Sequence, residues 1–193
     1  MLFTSRLYRF LAAGLVGVML AAASLSGTLL VGAQEETEEA PTEFNISLQE
    51  FQFKIDGQDA GSAIELEAGK LYQFNVTNVG TLTHEVLIGQ NAIMVGEGMH
   101  HDYESAMLAD VEVSITGETE AGEFAIGVTG LNEFELAPRQ SLSITFTLPD
   151  EKAGEWEMGC FVFVNPADTE ESPGPAHYDV GMHIPIVVSA AME

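Results

Sequence analysis

The sequence predicts an all-β protein, a sandwich or barrel of many short strands, and three observations predict it. From Phe44 onward apolar and polar residues alternate at period two, which turns one face of a strand inward. No stretch beyond that point sustains the 3.6-residue period of an amphipathic helix. Gly, Pro, Asn and Asp interrupt the alternation at short intervals, as turns do between the strands of such folds.

Taken in order, residues 1–33 carry Arg6 and Arg9, the apolar run LAAGLVGVMLAAASLSGTLLVGA, and small residues at Val31 and Ala33 before Gln34. This is the pattern of a signal peptide cleaved after Ala33; the alternative is a retained N-terminal anchor, because the run is long enough to span a bilayer. In either case the rest of the chain is expected outside the cytoplasm, periplasmic or secreted. Residues 34–43 are acidic and aperiodic and read as a flexible tether; residues 44–193 form one domain. In FNISLQEFQFKI the apolar phase slips by one between Leu48 and Phe51, which suggests a bulge near Gln49 and Glu50. Further strands are expected at 63–67, 71–77, 83–89, 109–115, 123–128, 141–148, 154–160 and 182–189. Residues 90–108 read as a short helix or ordered loop, and residues 163–176, rich in Pro, Gly and acid, as an exposed loop.

Without its two leading arginines the chain carries 30 acidic residues against four basic ones, a balance of −26. Such a field excludes nucleic acid as a partner, and excludes membrane contact except through a retained N-terminal anchor. It favours cations and a partner protein with a basic docking surface. The single cysteine, Cys160, cannot close an intramolecular disulfide, which leaves an inert buried thiol, an intermolecular bridge or a metal ligand. Alternation in GEWEMGC turns Trp156, Met158 and Cys160 to one face. The same reasoning puts His84 inward with Val86 and Ile88, and Met182 inward with Ile184 and Ile186, while His183 points out. His84, Cys160, His177 and Met182 can therefore meet at one end of the sandwich. Two imidazoles, a thiolate and a thioether are the donor set of type 1 (blue) copper sites.

At these residues the chain resembles the cupredoxins, the plastocyanin-like type 1 copper proteins. EFQF (50–53), AGK (68–70) and VTNVGTLTHE (76–85) look like the family's first half; LAPRQSLSITFTLPDEKAGEWEMGC (136–160) and PGPAHYDVGM (173–182) look like its second. HEVLIG followed by an insert containing Met and His is most similar to periplasmic cupredoxins associated with copper tolerance. The resemblance implies a Greek-key β-sandwich of about eight strands. It implies one copper ion held by His84, Cys160 and His177 with Met182 axial, and a non-enzymatic one-electron carrier. The alternatives it leaves are a copper-handling protein for tolerance, buffering or delivery, and a metal-free degenerate cupredoxin. A multicopper oxidase or nitrite reductase would need further copper sites that the sequence does not display. Met94, Met99, His100, His101 and Met107 offer soft donors for a second copper site. One departure from the family is the 16 residues between Cys160 and His177, where it has only a few. Loop-closure entropy for that lengthening is about 1.5 kcal/mol, so the site is not forbidden, but the usual short-loop geometry is not assured.

Overall fold

A computed structural model describes residues 40–95, 99–119, 121–169, 171–172 and 174–192. The expected signal segment and the first residues of the tether lie outside them. The strands are β1 (Thr42–Gln49), β2 (Gln52–Ile55), β3 (Ile64–Glu67), β4 (Leu71–Asn78), β5 (His84–Val95) and β6 (Met99–Ala106), followed by β7 (Glu112–Thr119), β8 (Gly122–Thr129), β9 (Glu133–Leu136), β10 (Ser141–Thr147), β11 (Gly154–Gly159) and β12 (His183–Ser189). One sheet runs β2-β1-β4-β10-β7-β8; the other runs β3-β12-β11-β5-β6, with β9 also paired to β5. The two sheets pack as a β-sandwich around one core. Among the described residues no helix is long and apolar enough to cross a membrane.

Period-two alternation builds the core. In β4, Tyr72, Phe74, Val76 and Asn78 are buried and the residues between them are half-buried. Phe74 meets Phe146 edge-on at 5.1 Å and Phe44 at 5.5 Å, so β1, β4 and β10 share one aromatic centre. Facing them from the other sheet are Val86, Ile88, Met158, Ile184 and Ile186, all buried in the same cluster. Each fully buried side chain of this size stabilises the fold by roughly 1.5–3 kcal/mol relative to exposure.

Among the described residues the two sheets comprise twelve strands, the sandwich that the alternation predicts with more strands than the eight or so expected. Three local expectations differ. The tether ends earlier than residue 43, because Thr42 and Glu43 already pair in parallel with Tyr72 and Gln73. The phase slip before Phe51 is a hairpin turn rather than a bulge: Gln49 pairs with Gln52, and Phe51 takes a left-handed φ of 59°. Where residues 90–108 were expected to hold a short helix or ordered loop, β5 continues to Val95 and β6 returns from Met99 to Ala106 among the described residues. That hairpin carries little apolar alternation because it extends past the main core, so no period marks it.

Candidate metal centre

Three adjacent strands of the second sheet place the site. Gly159 of β11 pairs with His183 of β12 on one side and Leu87 of β5 on the other. One step further along, Cys160 leaves β11 beside Met182, whose carbonyl accepts its N–H at 3.2 Å. His84 opens β5 at the same end, held opposite Leu136 of β9. The connection into His84 is fixed by buried Asn78. Its amide donates to the carbonyls of Leu82 at 2.8 Å and Leu136 at 2.7 Å, and its side-chain oxygen accepts the Gly80 N–H at 2.9 Å. A satisfied buried amide of this kind holds a loop in one conformation.

The donors converge. Cys160 Sγ lies 3.3 Å from His177 Nδ1 and 4.0 Å from His84 Nδ1, and the two imidazole centroids are 5.1 Å apart. One donor atom from each of the three residues falls within 4.8 Å of the other two. His84 and Cys160 are fully buried, His177 is 1% exposed, and Met182 is fully buried against the same core. Met182 is tied to the site by its backbone, its N–H donating to His177 O at 2.9 Å. Trp156, Met158 and Cys160 share the inward face, and His183 points outward to Glu157, 3.0 Å from its carboxylate, as the alternation predicts.

Burial sets the protonation. Desolvation pushes the Cys160 thiol up to about 12, although N–H groups of Glu85 and Val162 pull the other way; the Glu85 N–H lies 3.4 Å from Sγ. Desolvation, reinforced by neighbouring His84, lowers His177 to about 4. Desolvation also lowers His84, against the opposing pull of Glu50. Both imidazoles are therefore neutral at pH 7 and ready to donate lone pairs, while the thiol gives up its proton only to a cation. The donor set fits a soft-to-borderline transition metal, copper above all. His84 Nε2 is buried with no hydrogen-bond partner among the described residues. This is the atom that carries the proton if Nδ1 faces a metal.

The long segment after Cys160 does not loosen this geometry. Its two legs run back against each other: Phe163 bridges Ala176, Val164 N–H donates to Pro175 O at 2.9 Å, and His177 N–H donates to Val162 O at 2.8 Å. Tyr178 N–H then closes onto Cys160 O at 2.7 Å. The excursion is pinched at its base, so the backbone next to Cys160 and His177 is as constrained as in a short loop. Nor is the whole segment exposed, as 163–176 was read to be. Ala176 is buried in a second small cluster with Leu87, Tyr103 and Phe161, which precedes the segment and stacks on Tyr178 at 4.9 Å, and Phe163 and Val164 are half-buried. Gly159 makes room for this cluster, since a Cβ there would sit 2.6 Å from the Tyr103 hydroxyl and 2.9 Å from Tyr178 Cδ2.

Of the second soft-donor group, Met107 is fully buried in the main core and belongs to packing. The backbone register pairs Met94 with His100 and Val95 with Met99 near the β5–β6 tip; the side chains of Met94, Met99 and His100 lie outside what is described. Sequence reasoning missed Asn78, Glu50 and Phe51 as supports of the centre. Phe51 packs edge-on against His177 at 5.0 Å, and Glu50 accepts hydrogen bonds from the Thr81 N–H and hydroxyl.

No family model matches the chain, and no curated protein matches it. Among solved structures it is similar to reduced auracyanin from the photosynthetic bacterium Roseiflexus castenholzii, at 18% identity and a TM-score of 0.40, over 78% of this chain and 99% of that one. It is also similar to a multicopper oxidase, a metallo-oxidase, from Campylobacter jejuni, at 13% identity and a TM-score of 0.47, over 80% of this chain and 31% of that one. McoA multicopper oxidase from Aquifex aeolicus gives 14% identity and a TM-score of 0.43, over 80% and 30%. The chain thus spans about a third of the length of those oxidases.

Proposed function

We propose that this cupredoxin-like chain is an exported one-electron carrier in which His84, Cys160 and His177 would hold one copper ion, with Met182 as a fourth, weaker ligand. The observation that carries the reading is the buried convergence on one thiol of two neutral imidazoles: His84 and Cys160 come from the ends of neighbouring strands β5 and β11, and His177 from the segment between β11 and β12. Bound there, copper supplies a Cu(I)/Cu(II) couple. The chain supplies the rest. Strand ends and the pinched segment base fix the donors, so little movement accompanies a change of charge. Burial excludes water, and the Glu85 N–H offers the sulfur a hydrogen bond that helps set the potential.

A metal-free module is the weaker reading, because a thiol and two imidazoles gathered in a buried site, one with an unpartnered nitrogen, are costly without a ligand. The copper-handling alternative loses Met107 to the core. With 30 acidic residues the surface suits a basic redox partner, in keeping with an extracytoplasmic location. The test is a potentiometric titration of the copper-loaded full chain. A reversible one-electron wave with one copper per chain is the expected result; several exchangeable copper ions without such a wave would replace the carrier by a copper-handling protein.

A further inference from the structure

The β1–β2 turn lies over the two imidazoles although its residues belong to neither donor set. Glu50 and Phe51 are the two residues between the paired Gln49 and Gln52. Phe51 takes its left-handed φ of 59° without being glycine, a conformation that costs a bulky residue energy and persists only where surroundings enforce it. Its ring meets that of His177 edge-on at 5.0 Å. Beside it, the Glu50 carboxylate is held by the N–H and hydroxyl of Thr81, 31 residues away in sequence. Gly80 marks where that carboxylate approaches the site. A Cβ at position 80 would lie 2.8 Å from Glu50 Oε1 and 3.2 Å from His84 Nε2, so the absence of a side chain lets the two groups face each other across one gap. His84 Nε2 is the buried nitrogen without a hydrogen-bond partner among the described residues. Thr81 holds the carboxylate at about 2, so it stays ionised across the working range of pH.

We propose that Glu50 is a positioning residue for the metal centre: its carboxylate, fixed by Thr81 across the Gly80 gap, is the anionic partner of His84 Nε2–H and sets the tautomer that leaves Nδ1 free to ligate. Metal-bound histidines characteristically direct their second nitrogen to such a partner, and loss of that partner costs roughly 10–100-fold in metal affinity. Glu50 is solvent-exposed, so water screens part of its charge and the low end of that range applies. The assignment rests on the copper reading for its purpose, but its geometry concerns the metal-free chain as well.

The experiment uses two readouts on the full chain and its Glu50→Ala and Glu50→Gln variants. In the metal-free protein, imidazole nitrogen NMR reports the His84 tautomer. In the copper-loaded protein, competition with a chelator and the midpoint potential report the metal. The wild type is expected as the Nε2–H tautomer. Glu50→Ala should redistribute that tautomer, weaken Cu(II) about three- to tenfold and shift the potential toward Cu(I), with Glu50→Gln intermediate. Exposure of Glu50 keeps the fold intact in both variants. An unchanged tautomer in Glu50→Ala overturns the proposal even if the wild type binds copper as expected. A changed tautomer in a chain that binds no copper would uphold the Glu50–His84 pairing and remove the copper reading instead.

Discussion

Phe51 and Glu85 show how single residues are committed to the centre. Phe51 pays for its left-handed backbone and returns cover to His177. Phe51→Ala keeps the backbone strain and loses the ring, whereas Phe51→Gly loses the ring but relieves the strain. The glycine variant should therefore be the more stable of the two by about 1 kcal/mol in urea unfolding, although both expose His177. Glu85 sits beside the thiol, its carboxylate accepting the Phe161 N–H at 3.3 Å. Burial, with Glu133 and Glu135 nearby, raises it to about 7. Because the folded chain holds that proton more tightly than the unfolded one, Glu85 favours folding at low pH and loses its contribution as pH rises from about 4.5 to about 7. Lowered His177 acts in the opposite sense: the unfolded chain binds its proton first, so stability falls as pH drops from about 6.5 to about 4. Glu85→Gln should stabilise the copper-free protein by about 1–3 kcal/mol at pH 8 and leave it unchanged at pH 4, as thermal melts at both values will show. The inward placement of His84, Cys160 and Met182 was legible from alternation alone. The roles of Glu50 and Phe51 were not, since both act through tertiary contact and Phe51 reads as one more apolar residue in a strand.

At the scale of elements, the segment from Phe161 to Ala176 decides whether the site behaves as if its loop were short. The Phe163–Ala176 bridge and the Val164–Pro175 hydrogen bond isolate the exposed tip from the donors. Replacing residues 166–173 by a short turn should leave the visible spectrum of the copper-loaded protein unchanged and alter stability by no more than about 1 kcal/mol. A shifted spectrum would show that the tip reaches the centre. Gly159→Ala makes the opposite prediction: its methyl would press on Tyr103 and Tyr178, costing about 1–3 kcal/mol by thermal melt. Composition gave the tip correctly as polar and exposed but could not reveal the pinch, which depends on backbone pairing between residues 13 apart. Strands β6 and β9 escaped for related reasons. MHHDYESA has no apolar face to bury in the main core, and EFEL spans only four residues.

For the whole molecule, period-two patterning was enough to identify a sandwich, because most core residues come from alternating strands. It could not fix the order of the strands, which follows from crossovers such as β4 to β5 that leave no local mark. The net charge of −24 works against the compact state. Raising salt from about 0.01 M to about 1 M shortens the screening length from about 30 Å to about 3 Å, so the melting temperature should rise across that range; a flat response would mean the carboxylates are already neutralised by bound cations. Everything proposed for the centre requires Cys160 to be a copper ligand flanked by two buried imidazoles. This requirement is tested most directly by titrating the full chain with Cu(II) and following visible absorption, with Cys160→Ser in parallel. An intense thiolate-to-copper charge-transfer band that saturates at one equivalent and is absent from the serine variant is the predicted result. No such band in the wild type, or an equal response from Cys160→Ser, would remove Cys160 from the copper site.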